Sequence, residues 1–241
     1  MANSDKTDES ILVETEWLAD HLDLAGLKIV AMDYGPGFAK GHIPGAVSVR
    51  NNYLKSASDT NFLMELPEFK ELMETLGIGD DTLVIGYDNN GSLYASRLWW
   101  MLMYYGHPNV KILNGGWLKW VRENRPIIVK PTFPRERGSV IKNDSSKVVF
   151  TPRLQPALAS SVDLLKVASE TREEKIWDIR SKAEYKGENG RGNARVGHVP
   201  NAQHLEWLDF MNGDNTFKSS DEMRNLLSGI GIDSKDTVHI Y

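Results

Sequence analysis

Carboxylates stand where three apolar runs end, at Asp33, Asp88 and Asp178, and a group of cations follows the last. Asp88 comes directly after Thr82-Leu83-Val84-Ile85-Gly86-Tyr87, and Asp178 sits at the end of Ile176-Trp177-Asp178-Ile179. Arg180, Lys182, Arg191 and Arg195 come next, in a polar, glycine-rich stretch. Open α/β sheets bind ligands beyond the carboxyl ends of their strands, so these positions are placed for chemistry. Guanidinium forks suit a small anion such as a sulfonate or a carboxylate. Arg180, Lys182, Arg191 and Arg195 are therefore the candidate anion-binding residues. Arg180 has a second reading, an ion pair with Asp178 or Glu184, and Arg191 and Arg195 also read as ordinary surface charge. Asp178 is expected to brace neighbouring backbone rather than act as a base. His42 and His198 are acid–base groups by type. Each, however, stands in a Gly-His-(Ile or Val)-Pro turn, and the expected role is a hydrogen bond to the loop that follows the preceding strand.

The chain has no cysteine, which removes disulfides and thiolate metal sites. Its six histidines lack metal-ligand spacing. No metal and no cofactor are expected. Gly86 and Gly91 flank Asp88 without a phosphate-loop pattern, so no nucleotide site is expected.

These positions are set by an internal repeat. Gly41-His42-Ile43-Pro44-Gly45-Ala46 returns as Gly197-His198-Val199-Pro200-Asn201-Ala202. Gly77-Ile78-Gly79-Asp80 leads into the strand ending at Tyr87, and Gly231-Ile232-Asp233 leads likewise into Thr237-Val238-His239-Ile240-Tyr241. The position matching Asp88 would come directly after Tyr241. A repeat of this length fixes architecture before any local reading does, and 241 residues allow about two domains. The expected division is a first domain over 10–137, a linker over 138–160 and a second domain over 161–241. The Val148-Val149-Phe150 patch of the linker is expected to pack on a domain.

The periodicity predicts helices over 14–24, 67–76, 92–105, 161–169 and 220–227, and strands over 28–33, 82–87, 110–113, 176–179 and 237–241. Residues 33–45 and 182–195 read as loops. Strands alternating with helices make an α/β fold with a parallel sheet flanked by helices in each domain. Trp99, Trp100, Trp117 and Trp120 read as packing residues. The net charge is −5 and the pI about 5.7, so no nucleic-acid partner and no anionic membrane surface are expected. No apolar run reaches the ~20 residues of a membrane span, and residues 1–10 lack a signal-peptide pattern. A cytoplasmic monomer is the expectation.

Several motifs, in order and repeated, resemble the tandem-domain rhodaneses, the thiosulfate and 3-mercaptopyruvate sulfurtransferases. The first copy carries the Gly41–Ala46 turn, Tyr94-Ala95-Ser96-Arg97 with Trp99-Trp100, and Asn114-Gly115-Gly116-Trp117. The second carries Asp178-Ile179-Arg180, Tyr185, Gly197-His198-Val199-Pro200 and Val238-His239-Ile240-Tyr241.

The resemblance implies two tandem rhodanese-like domains. It implies that the second-domain strand runs into a loop whose first member is the catalytic cysteine, held in a cradle of backbone N–H groups. By the repeat, that nucleophile would follow Tyr241, with Asp178, His198 and Tyr241 as structural neighbours. Asp88 would be its equivalent in a catalytically silent first domain. The implied partners are a small anionic sulfur donor and a thiol or cyanide acceptor. Many members place an arginine where this chain has Glu184, which shifts the anion contact to Lys182, Lys186 or the loop arginines. The second copy lacks counterparts of residues 88–120, so the second domain is expected to be incomplete as given and the working polypeptide to continue. The rival readings are a non-catalytic binding module and a phosphatase built on the same fold.

Overall fold

Apolar runs too short for helices become the strands of two parallel sheets. A computed structural model of the chain describes residues 10–33, 36–49, 54–56, 58–59, 62–129 and 148–241. The described residues up to Pro156 form one compact unit, and those from Ala157 onward form a second.

The first unit holds strands β1 (Leu12–Val13), β2 (Leu27–Ala31), β3 (Val47–Ser48), β4 (Leu83–Tyr87) and β5 (Val110–Leu113) in the order β1-β5-β4-β2-β3. Every pair is parallel. Its helices are α1 (Thr15–Asp20), α2 (Pro36–Lys40), α3 (Leu66–Thr75), α4 (Leu93–Tyr104) and α5 (Gly116–Arg122). Successive strand residues face opposite sides, so the central strands feed two apolar clusters. Val30 and Val84 pack with Phe69 and Met73 of α3 and Leu98 and Leu102 of α4. Ile29 and Ile85 pack with Leu18 of α1, Phe38 of α2 and Trp120 of α5. Burial on both faces is why these strands read as continuous apolar runs. α3 starts with Pro67 in its first turn and stops before Gly77, whose φ of +75° is the left-handed conformation that glycine adopts without steric cost.

Residues 148–156 belong to this first unit, while 138–147 of the expected linker, and 130–137 of the expected first domain, lie outside the described residues. Phe150 is buried beside Phe69 and Tyr105. Its carbonyl accepts from Lys70 Nζ at 2.8 Å, and its N–H donates to Glu74 Oε1 at 3.1 Å. Arg153 and Gln155 N–H groups donate to the carbonyls of Tyr105 and Tyr104, both at 2.8 Å. Emptying the Phe150 site should cost about 3–5 kcal/mol, the usual price of Phe→Ala in a core. Urea unfolding of Phe150→Ala should show that loss in the first unit.

The second unit carries β6 (Lys175–Asp178), β7 (Gln203–His204) and β8 (Val238–Ile240) in the order β7-β6-β8, again parallel, with α6 (Val162–Thr171), α7 (Lys182–Tyr185) and α8 (Ser220–Gly229). Two expected loops contain helices: α2 lies within 33–45 and α7 within 182–195. Helices of five and four residues complete too little of the 3.6-residue period to declare themselves. α7 is fixed instead by a capping box. The Ser181 hydroxyl accepts from Glu184 N–H, and the Glu184 carboxylate accepts from Ser181 N–H. The two-residue strands β1, β3 and β7 are likewise absent from the sequence reading.

Candidate active site

In the second unit, the pairing of Trp177 with Ile240 brings Asp178 and Tyr241 to the same carboxyl end of the sheet. Asp178 is fully buried. Its Oδ1 accepts from Arg180 N–H and Nε, both at 3.0 Å, and its Oδ2 from Arg180 Nη2 at 2.5 Å. The same Nη2 donates to Gly197 O at 2.9 Å, and the guanidinium carbon lies 5.0 Å from the centre of the Tyr241 ring. Val199 N–H donates to the Tyr241 hydroxyl at 2.8 Å. Burial alone would raise the Asp178 pKa. The donors from Arg180 and Tyr241 outweigh it and hold the carboxylate below its usual range. Burial, helped by the Asp178 charge, pushes the Tyr241 phenol up to about 12. This is a charged brace across two strand ends and the Gly197–Val199 turn.

Of the Arg180 readings, the structure shows the ion pair with Asp178, and Glu184 takes a different partner. Glu184 is buried and pairs with Arg191 Nε at 3.0 Å, although Arg191 itself is exposed. The pattern Ser181-x-x-Glu184 is the sequence signal that would have located Glu184 at a helix start. Lys182 and Arg195 are exposed, and no hydrogen bond or ion pair among the described residues joins them to the brace. His198 Nδ1 lies 2.7 Å from Tyr185 O, with the two rings stacked at 3.7 Å. His204, which the sequence reading did not single out, bonds Arg180 O at 2.8 Å and so holds the brace from β7.

The first unit repeats this frame with different chemistry. Met32 N–H donates to Tyr87 O at 2.8 Å, as Ile179 N–H does to Tyr241 O at 3.1 Å. Ile43 N–H donates to the Tyr87 hydroxyl at 3.2 Å, as Val199 does to Tyr241. His42 stacks on Phe38 and bonds its carbonyl, as His198 does with Tyr185. In this register Tyr87 matches Tyr241, Ala31 matches Asp178 and Asp33 matches Arg180.

The residue after Tyr87 is Asp88, buried to 1% exposure. Its Oδ1 accepts from Asn90 and Ser92 N–H at 2.8 and 2.9 Å, and its Oδ2 from Tyr94 and Ala95 N–H at 2.7 and 2.8 Å. Left-handed φ values at Gly91 (+62°) and Ser92 (+66°) curl the loop into α4. The loop amides and the first turn of that helix thus form an anion cradle, with the Asp88 carboxylate as its occupant. The motif Asn114-Gly115-Gly116-Trp117 closes the back of the cradle. Trp117 N–H donates to Asp88 O at 2.9 Å, and a Cβ on Gly116 would meet that oxygen at 2.4 Å.

Asp33 lies half-buried nearby, and burial, then the Asp88 charge, raises its pKa to about 6 against one opposing hydrogen bond from Asn89. The folded state therefore holds this proton more tightly than the unfolded chain does. The first unit gains stability from it as pH falls from about 7 to about 4. Asp33→Asn should remove this contribution and stabilise the unit at pH 7, on the order of 1 kcal/mol once solvent screening is allowed for. The difference between the two proteins in urea midpoints, followed across that pH range, measures it.

Among the described residues, no helix is long and apolar enough to cross a membrane, and no group of three or more His, Cys, Asp or Glu could hold a metal. The chain is 32% identical over 245 residues to the sulfur carrier protein TtuD of Thermus thermophilus, covering 96% of this chain and 81% of that one. It is 27% identical to the thiosulfate sulfurtransferase of Bos taurus, over 92% of this chain and 77% of that one. Its fold superimposes on the Escherichia coli 3-mercaptopyruvate sulfotransferase SseA with a TM-score of 0.79 and 26% identity, covering 96% and 87% of the two chains. The rhodanese-like domain family model matches residues 14–123. With its repeated α/β frame and these relatives, the chain belongs to the rhodanese-like family.

Proposed function

We propose that this protein moves a sulfane sulfur from thiosulfate, or from 3-mercaptopyruvate, to a thiophilic acceptor through a cysteine persulfide. The cysteine would stand at the position after Tyr241. The observation that carries this reading is the cradle at Asp88. The matched frames of Tyr87 and Tyr241 make the residue after Tyr241 the counterpart of one held by four backbone N–H groups. Such a cradle favours a thiolate over a thiol and stabilises a negative persulfide. A carboxylate there carries no transferable sulfur, so the first domain (10–137) is the silent one and the second (161–241) the working one.

The thiolate attacks the outer sulfur of thiosulfate, the S–S bond breaks, and sulfite leaves with its electron pair. Cyanide or a thiolate then attacks the terminal persulfide sulfur, forming thiocyanate or a new persulfide and returning the cysteine thiolate. No external oxidant or reductant is consumed. The Arg195 and Lys182 side chains are exposed, with no ion pair or hydrogen bond to them among the described residues, which suits them to hold the donor anion. Arg191 joins them from its leash to Glu184.

The test is the intact mass of the natural protein, loaded with thiosulfate and then treated with cyanide. A loss of about 32 Da matched by thiocyanate supports the persulfide. A mass unchanged by both treatments supports the non-catalytic binding module instead.

A further inference from the structure

Resting on the sulfur-transfer reading above, we infer that His239 is a positioning residue, clamped between Ser160 and Glu174 so that β8 delivers the residue after Tyr241 to a fixed place. His239 lies in β8, paired with Ile176 of β6, and is 5% exposed. Its Nδ1 lies 2.6 Å from the Ser160 hydroxyl, and its Nε2 lies 2.6 Å from Glu174 Oε2. Ser160 directly precedes Ser161, the N-cap of α6, and Glu174 directly precedes β6. One buried ring thus ties three chain segments together. A carboxylate only accepts, so Nε2 carries a proton and Nδ1 takes the hydroxyl proton of Ser160. When the ring gains a second proton the hydroxyl turns and accepts, and neither bond is lost.

The first unit shows why the second needs such a clamp. In the matched frames of Tyr87 and Tyr241, His239 stands where the first unit has Ile85, fully buried in its core. Isoleucine packs there with no hydrogen bond to satisfy, whereas a buried imidazole must find partners for its nitrogens. Exchanging buried polar contacts for apolar packing is often neutral or stabilising, so stability alone does not account for the histidine. The difference lies at the strand end. Asp88 fastens its own loop to the end of β4 through four backbone N–H groups. A nucleophile after Tyr241 has to keep its lone pairs for attack and then carry a sulfur, so it cannot do the same. The anchorage passes upstream, to His239. Side chains two apart share a strand face. His239 and Tyr241 therefore hold β8 from one side, the first through Ser160 and Glu174 and the second through Val199 N–H. Hydrogen bonds are directional and resist sliding of the strand in a way that apolar contact does not.

The test installs the residue that the first unit uses. His239→Ile in the natural protein should keep the urea midpoint of the second unit at or above that of the wild type, because Ser160 and Glu174 are exposed and turn to water. Its kcat for sulfur transfer from thiosulfate to cyanide should fall about tenfold per folded molecule, since a misplacement of ~1 Å can cost about 100-fold. KM for thiosulfate should stay within about twofold, because donor binding is not what the clamp controls. His239→Gln, whose amide still reaches Glu174, should recover part of kcat. Ser160→Ala and Glu174→Ala, at exposed positions, each release one end of the ring and should lower kcat about threefold without unfolding the unit. A wild-type kcat in His239→Ile, or in both exposed-position variants, would leave the clamp merely structural and overturn the inference. A wild type that forms no persulfide would instead sink the sulfur-transfer reading, and this inference with it.

Discussion

Asp88→Ala should destabilise the first unit by about 4 kcal/mol or more, a large part of the ~5–15 kcal/mol available to a domain. The substitution removes a carboxylate that accepts four backbone N–H groups at 2.7–2.9 Å while itself only 1% exposed. Each buried donor left without a partner costs roughly 1–3 kcal/mol, and water entering the space recovers part of it. Asp88→Asn should fall between, because one oxygen survives and the new NH2 group faces two donors. A cradle built for an anion makes a further demand that an ordinary cap does not. Sulfate or thiosulfate should raise the unfolding midpoint of Asp88→Ala while barely moving the wild type, whose site is full. If urea unfolding shows a loss below about 1 kcal/mol, or added anion has no preference for the variant, the loop is a local turn and not a preformed cradle.

Much of this was legible in the sequence because long elements repeat a period. The apolar strands, α3, α4 and α8, and the doubled Gly-His-(Ile or Val)-Pro turn all declare themselves, and the repeat aligned Asp88 with the position after Tyr241. The contents of the cradle did not show. Backbone N–H groups have no side-chain signature, and their convergence depends on left-handed φ values at Gly91 and Ser92. Glycine permits that conformation; Ser92 is held in it by its N–H bond to Asp88. Arg180 illustrates a different limit. Its neighbours in sequence allowed either Asp178 or Glu184 as partner, and the choice fell to strand geometry, which turns Asp178 inward at the end of β6. Glu184 is then free to cap α7 and to restrain Arg191. The charge reversal between Asp33 and Arg180 appears only once backbone hydrogen bonds fix the register of the two frames.

Arg180→Ala should be the most damaging single change in the second unit. It takes from the fully buried Asp178 carboxylate the two guanidinium donors of Arg180, leaving it the backbone N–H that alanine retains and the bond from Tyr241. Breaking a buried pair from one side costs about 3–5 kcal/mol; the partial exposure of Arg180 places this case near the lower end. The sign of the pH dependence follows. Asp178 is held below its usual range in the folded wild type, so the brace contributes stability above the unfolded carboxylate pKa and loses it as pH falls through the folded value. In the variant that contribution disappears, and the stability difference should shrink toward zero in acid. Arg180→Lys keeps a charge but not the fork and should recover only part of the loss. Kinetics then separate two roles. If Arg180 positions the strand end and the Gly197–Val199 turn, sulfur transfer in Arg180→Lys should fall in kcat with KM for thiosulfate nearly unchanged. If it grips the donor anion, KM should rise instead. With Nε and Nη2 both committed to Asp178, and Nη2 also to Gly197, the kcat effect is the expected result.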